Sequence, residues 1–161
     1  MTFTTWLIAL AFTAAAQTAP APQRFDYLVR ADFFAGVAGD EARLANVIAL
    51  CERMLADNPG HAEALVWHGA GLLVRAGQAF QKGDVGTGGP LFERALKEMG
   101  DAVALAPDNP GVLIPRAAVL LEATRGMPPD AARPLVESAV KNYEHVLEIR
   151  ANGMSCVGCH K

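Results

Sequence analysis

No run of basic residues occurs in this sequence, and the net charge at neutral pH is −3 with a pI near 5.8. That balance does not attract polyanions, which argues against nucleic acid or an anionic membrane surface as a partner. Aromatic residues make up 7% of the chain and β-branched alternation is missing, so there is little room for a sheet. Cysteine is scarce: there are three, two of them close together near the C-terminus. Ser138 and Ser155 have no base placed near them in a recognisable pattern, and no other catalytic constellation emerges. The chain therefore reads as a non-enzyme. What it has is apolar material. Of 161 residues, 52% are hydrophobic and 19% charged, enough for one globular domain with a core.

A short apolar run, Trp6-Leu7-Ile8-Ala9-Leu10-Ala11-Phe12, lies near the N-terminus and is followed by Ala14-Ala15-Ala16 and Gln17. This is the shape of a secretory signal peptide over residues 1–16 with cleavage before Gln17, although Met1–Thr5 contains no Lys or Arg. The run is too short to span a bilayer comfortably. The mature protein is expected in the periplasm or outside the cell, with no stable membrane span after cleavage. Residues 17–23, with Thr18-Ala19-Pro20-Ala21-Pro22, form a short Pro/Ala-rich spacer.

Helical periodicity covers the rest. Arg24–Val37 predicts a first helix with Phe25, Leu28, Val29, Phe33 and Val37 on one side, ended by Gly36 and Gly39. A second, from Asp40 to Ala56, carries Leu44, Val47, Ile48, Cys51, Met54 and Leu55 on one stripe. Asp40 suits its N-terminus, and Asn58-Pro59-Gly60 stops it. Cys51 on that stripe reads as a buried, inert thiol. Residues 62–110 hold two further helical patterns. Leu65, Gly69, Leu72, Ala76 and Phe80 are spaced three or four apart, as are Leu91, Ala95, Met99, Ala102 and Ala106. The segment Lys82–Pro90 between them is glycine-rich, but no Gly-Lys-Ser/Thr closes it and no strand leads into it. It is expected to be a flexible loop, with Pro90 starting the next helix. A third pair runs from Gly111 to Arg150 around the turn Gly126-Met127-Pro128-Pro129. Its second helix has the cleanest stripe: Ala132, Leu135, Val136, Ala139, Val140, Tyr143, Val146 and Leu147. Trp67 lies off the main stripe of its helix, placed to pack against the following repeat or to line a groove.

Asp57-Asn58-Pro59-Gly60 returns as Asp108-Asn109-Pro110-Gly111, 51 residues later, which marks a repeat. With Leu65, Gly69 and Leu72 on one helix and Ala95 and Ala102 on the next, residues 24–152 resemble a tetratricopeptide-repeat (TPR) protein with helices longer than those of the usual repeat of about 34 residues. The resemblance implies an all-α, right-handed stack of about three antiparallel helix pairs. It also implies a protein–protein interaction scaffold whose concave surface takes a protein or peptide partner.

The tail, residues 153–161, contains Cys156-Val157-Gly158-Cys159-His160. Two thiols at this spacing reach the two vinyl groups on one porphyrin edge and form thioethers, and the next His can bind iron. The segment resembles the attachment sites of exported cytochromes c. That resemblance implies haem c held by Cys156 and Cys159, with His160 as the metal ligand, and an alternative role as a monohaem carrier in periplasmic electron transfer. Cytochromes c′ carry the motif near the C-terminus of a four-helix bundle. A Cys156–Cys159 disulfide, a zinc site including His160, and a chance match stay open as alternatives. For a second axial ligand, Met154 is too near in sequence. His61 and His68 share a helix face about 10 Å apart, too far to chelate one metal. They and His145 read as surface or satisfied core residues, and a five-coordinate iron is expected.

Overall fold

The structure, a computed structural model, describes residues 24–151. The expected signal peptide, spacer and Cys-x-x-Cys-His tail lie outside the described residues. Among the described residues every regular element is a helix: α1 (Phe25–Val37), α2 (Glu41–Asp57), α3 (Ala62–Gln81), α4 (Val85–Leu105), α5 (Pro110–Ala123) and α6 (Pro129–Ala151). The fold class is all-α, as the periodicity predicts.

Capping side chains fix four of the helix starts. The carboxylates of Asp40 and Asp84 accept from the backbone N–H groups of Arg43 and Thr87, and the Asn109 side chain accepts from Gly111. His61 Nδ1 accepts from Ala64 N at 3.2 Å, so His61 is the cap of α3 and not a residue of its face.

The Gly-rich segment departs from the expectation of a flexible loop. The connection is short, Lys82 to Asp84, and α4 already begins at Val85, so Gly86 to Pro90 are helical. Asp84 is the reason: its side chain takes the Thr87 N–H and its carbonyl the Gly88 N–H. Gly88 is also needed where it stands, because a Cβ there would come within 2.5 Å of the Phe80 ring. Pro90, Pro115 and Pro134 each occupy the sixth position of their helix. The carbonyl of Gly86, opposite Pro90, is exposed and can be served by water.

α3 is the centre of the molecule and touches α1, α2, α4 and α5. Its Gly69 lies against Ala95 and Met99 of α4, and its Phe80 packs on Phe92, so α4 runs back along α3. A Cβ on Gly69 would stand 2.9 Å from Met99 Cγ and 3.0 Å from the Ala95 carbonyl oxygen, which is why these two helices need a glycine at their closest approach. Phe25 meets His61 and Phe33 meets Trp67, so α1 and α3 lie side by side in the same sense. Trp67 thus packs against Phe33 of the preceding helix pair.

The main core joins Val29 and Phe33 to Leu44, Val47, Cys51, Val66, Met99, Ala102 and Leu120. Each large apolar side chain removed from water here contributes about 1.5–3 kcal/mol before entropy is counted. A second cluster, Leu113 with Val146 and Ile149, sets the start of α5 against the end of α6. Leu28 and Val37, expected inward on α1, are exposed; Asp26 and Gly36 take buried places instead. No described helix is long and apolar enough to cross a membrane.

Candidate functional site

α1, α3 and α5 together line an open groove of about 1270 Å³. Its middle is apolar, with Phe34, Trp67, Val74, Ile114 and Val119 among the lining residues. Phe34 and Ile114 are exposed, which leaves large apolar side chains facing solvent along one concavity. Trp67 is only 4% exposed and stands edge-on to Phe33 at 5.1 Å, while its Nε1 is buried with no hydrogen-bond partner among the described residues.

Both ends of the groove are charged and internally balanced. At one end Arg24 donates from Nε and Nη2 to the two Asp26 oxygens at 3.0 Å each, and Arg30 stands 3.9 Å from the same carboxylate. Nearby, Asn109 Nδ2 donates to Glu63 Oε1 at 3.0 Å, tying the start of α5 to the start of α3. At the other end Lys82 faces Glu41 at 3.5 Å, and Arg125 pairs with Glu122 at 3.0 Å. These pairs are mostly exposed and contribute little stability. Their consequence is electrostatic: the groove presents both signs at each end and no net field that would select a polyanion.

Behind the groove, on the far side of α3, His68 is buried between α2 and α4. Its Nδ1 lies 2.5 Å from Glu98 Oε2, and its Nε2 lies 3.7 Å from Glu52 Oε1, beyond hydrogen-bond range. Arg94 Nε donates to the other Glu98 oxygen at 2.8 Å. Burial raises the Glu98 pKa, but hydrogen bonds and charge from His68 and Arg94 outweigh it and hold the carboxyl below its ordinary value. Cys51 is fully buried, and desolvation, with Glu52 and Glu98 adding to it, pushes its thiol up to about 12. It is an inert core thiol, as its place on the α2 stripe predicts.

His145 is half-exposed on α6 and reaches the α4–α5 turn. Its Nε2 is 2.7 Å from Asp108 and its Nδ1 is 3.3 Å from Glu148, and these carboxylates raise its pKa. The three described histidines are therefore a helix cap, a buried hydrogen-bonded residue and a surface clasp. No cluster of three or more His, Cys, Asp or Glu side chains suited to a metal exists among the described residues. Cys156, Cys159 and His160 lie outside them.

The groove was only partly visible in the sequence. Glu63, Arg24 and Asp26 have no motif, and the Asn109 of the repeated Asp-Asn-Pro-Gly was the one signal that could have located the Glu63 contact. Compared with known protein families, curated proteins and solved structures, the chain matches none.

Proposed function

We propose that this chain is an exported, non-enzymatic helical-repeat scaffold that holds a peptide segment of another protein in the groove lined by α1, α3 and α5. The carrying observation is that groove: its lining comes mainly from α1, α3 and α5, with an apolar middle and polar ends. Repeat scaffolds of right-handed helix pairs use such a concave surface for binding. The neighbour relations support a TPR-like stack, since α1 meets α2 and α3, α3 meets α4 and α5, and α5 meets α6. An apolar peptide segment flanked by both charge signs fits the lining, by side chains entering between helices. The signal-peptide pattern of residues 1–16 supports a periplasmic or secreted setting.

The test compares the mature protein with a Phe34→Asp, Ile114→Asp variant as bait for a periplasmic extract. Both side chains are exposed, so the variant should keep its helical circular dichroism and lose the captured partner. A partner retained equally by both proteins contradicts the reading.

A second reading, a monohaem c-type protein, is favoured by Cys156-Val157-Gly158-Cys159-His160. Cys156 and Cys159 would tether the haem and His160 would ligate its iron; the bound group supplies one-electron redox chemistry. The two readings are compatible. Intact mass after expression in a host that matures cytochromes c decides whether haem is attached.

A further inference from the structure

His68 uses only one of its two ring nitrogens. The side chain is 2% exposed and its Nδ1 is taken by Glu98, but its Nε2 is buried with no hydrogen-bond partner among the described residues. A neutral imidazole with its proton on Nδ1 can only accept at Nε2. What faces Nε2 is a second acceptor: Glu52 Oε1 of α2, 3.7 Å away. Glu52 is an exposed side chain that makes no other ion pair among the described residues. Two acceptors set face to face lack the one proton that would join them.

The charges around the ring favour that proton. α2 brings Glu52 and the neutral thiol of Cys51, and α4 brings Glu98 with Arg94 on its other oxygen. One turn away on α3, Ala64, Leu65, Gly71 and Leu72 are uncharged. α1 and α5 also pack on α3, but place no charged group within ion-pair distance of His68 among the described residues. Two carboxylates against one guanidinium leave the cluster one negative charge in excess. A single added proton balances it.

We propose that Glu52, His68 and Glu98 form a proton-operated latch, in which a second proton taken up at His68 Nε2 draws Glu52 inward and fastens α2 to α3 and α4. In the latched state Nδ1 donates to Glu98 and Nε2 donates to Glu52. A buried imidazolium is disfavoured when alone, whereas this one is paired with a carboxylate on each nitrogen. Glu52 needs to move by only about 1 Å to close the gap to the usual charge-assisted length of about 2.8 Å. Histidine is the side chain suited to the task, since it gains its second proton just below neutral pH, where carboxylates are still ionised. α1 packs on α2 more extensively than on α3, so fastening α2 also steadies the α1 wall of the groove. The inference does not depend on what the groove holds.

The experiment compares the full mature chain with Glu52→Gln, which keeps the side-chain size and removes its charge. Glu52 is exposed, so the variant should fold. Glu137→Gln, at another exposed carboxylate on α6, is the control. Urea unfolding is measured at pH 7.5 and 5.5, and nitrogen NMR of the imidazoles reports which ring nitrogens carry protons. A proton bound more tightly in the folded state adds stability that is present at the lower pH and lost as pH rises. From pH 7.5 to 5.5 the wild type should gain roughly threefold to tenfold in folding equilibrium constant over Glu52→Gln. Glu137→Gln should follow the wild type, and both His68 nitrogens of the wild type should be protonated at pH 5.5. A difference between wild type and Glu52→Gln that is the same at both pH values overturns the latch, as does an Nε2 that stays bare at pH 5.5. A Glu137→Gln protein that departs from wild type as Glu52→Gln does assigns the effect to net charge and overturns it too.

Discussion

His68 Nδ1 and Glu98 Oε2 stand 2.5 Å apart and join α3 to α4 beneath the groove. Because an ionised carboxylate only accepts, Nδ1 carries the proton and donates it. Glu98 is thereby held below its ordinary pKa against the burial that would raise it. A depressed folded pKa gives stability that is present above the unfolded carboxylate value and is lost as pH falls through the folded one. Glu98→Gln is expected to be less stable than wild type by about 1–3 kcal/mol at pH 7. The gap should narrow as pH drops below about 4.3, the unfolded value. Urea unfolding followed at pH 7, 5 and 3 checks it; a gap that does not change with pH contradicts the assignment.

Two glycines of α3 should respond with opposite signs to the same substitution. At Gly69 a Cβ meets Met99 and the Ala95 backbone oxygen, which cannot rotate away, whereas Gly77 has open space around its Cβ position. Gly69→Ala gains helix propensity of roughly 1 kcal/mol but overpacks by about 1–3 kcal/mol, for a net loss. Gly77→Ala should stabilise by about 0.5–1 kcal/mol. Thermal melts of the two single variants provide the comparison, and a stabilised Gly69→Ala would show that α3 and α4 are farther apart than described.

His145 is expected to titrate above its ordinary value because of Asp108 and Glu148. A raised folded pKa gives stability that is fully present below the unfolded histidine value and lost as pH rises through the folded one. Imidazole resonances followed by NMR should show the His145 midpoint falling when Asp108→Asn is introduced. An unmoved midpoint would mean that the clasp between α6 and the α4–α5 turn does not form in solution.

Much of this fold could be read from the sequence, and the exceptions have physical causes. The stripe of α2 placed that helix to within a residue, because apolar periodicity and Asp40 agree there, whereas α6 starts at Pro129, a residue expected in the turn, and leaves Val140 and Leu147 of its stripe exposed. Gly86 to Pro90 looked like a loop because glycine and proline are poor helix residues, yet one capping aspartate and the Phe80 ring outweigh them. Leu28 was expected inward because periodicity locates a face but not how far neighbours extend over it; α1 is covered on one side only. Trp67 was recognised as special, but Phe33, its partner, sits 34 positions earlier, a distance at which local pattern is silent. The Cys156-x-x-Cys159-His160 tail is legible as chemistry in the sequence alone, outside the described residues.

Cys51 should behave as an interior atom. With its thiol pushed up to about 12, a disulfide reagent at pH 8 finds almost no thiolate and no access. A Cys156→Ala, Cys159→Ala protein is expected to show no reactive thiol until denaturant is added, then one. Prompt reaction in the folded protein would place α2 elsewhere.

The groove is the centre of this account, and a photo-crosslinking residue at Ala118 tests it most directly. Ala118 is exposed on α5 and lines the groove, whereas Arg53 is exposed on α2 and does not. With the mature protein in periplasmic extract, irradiation should join one defined partner to the Ala118 position and not to Arg53, and Phe34→Asp should abolish the adduct. The same adduct from Arg53, or one from Ala118 that survives Phe34→Asp, would show that partners do not enter between α1, α3 and α5.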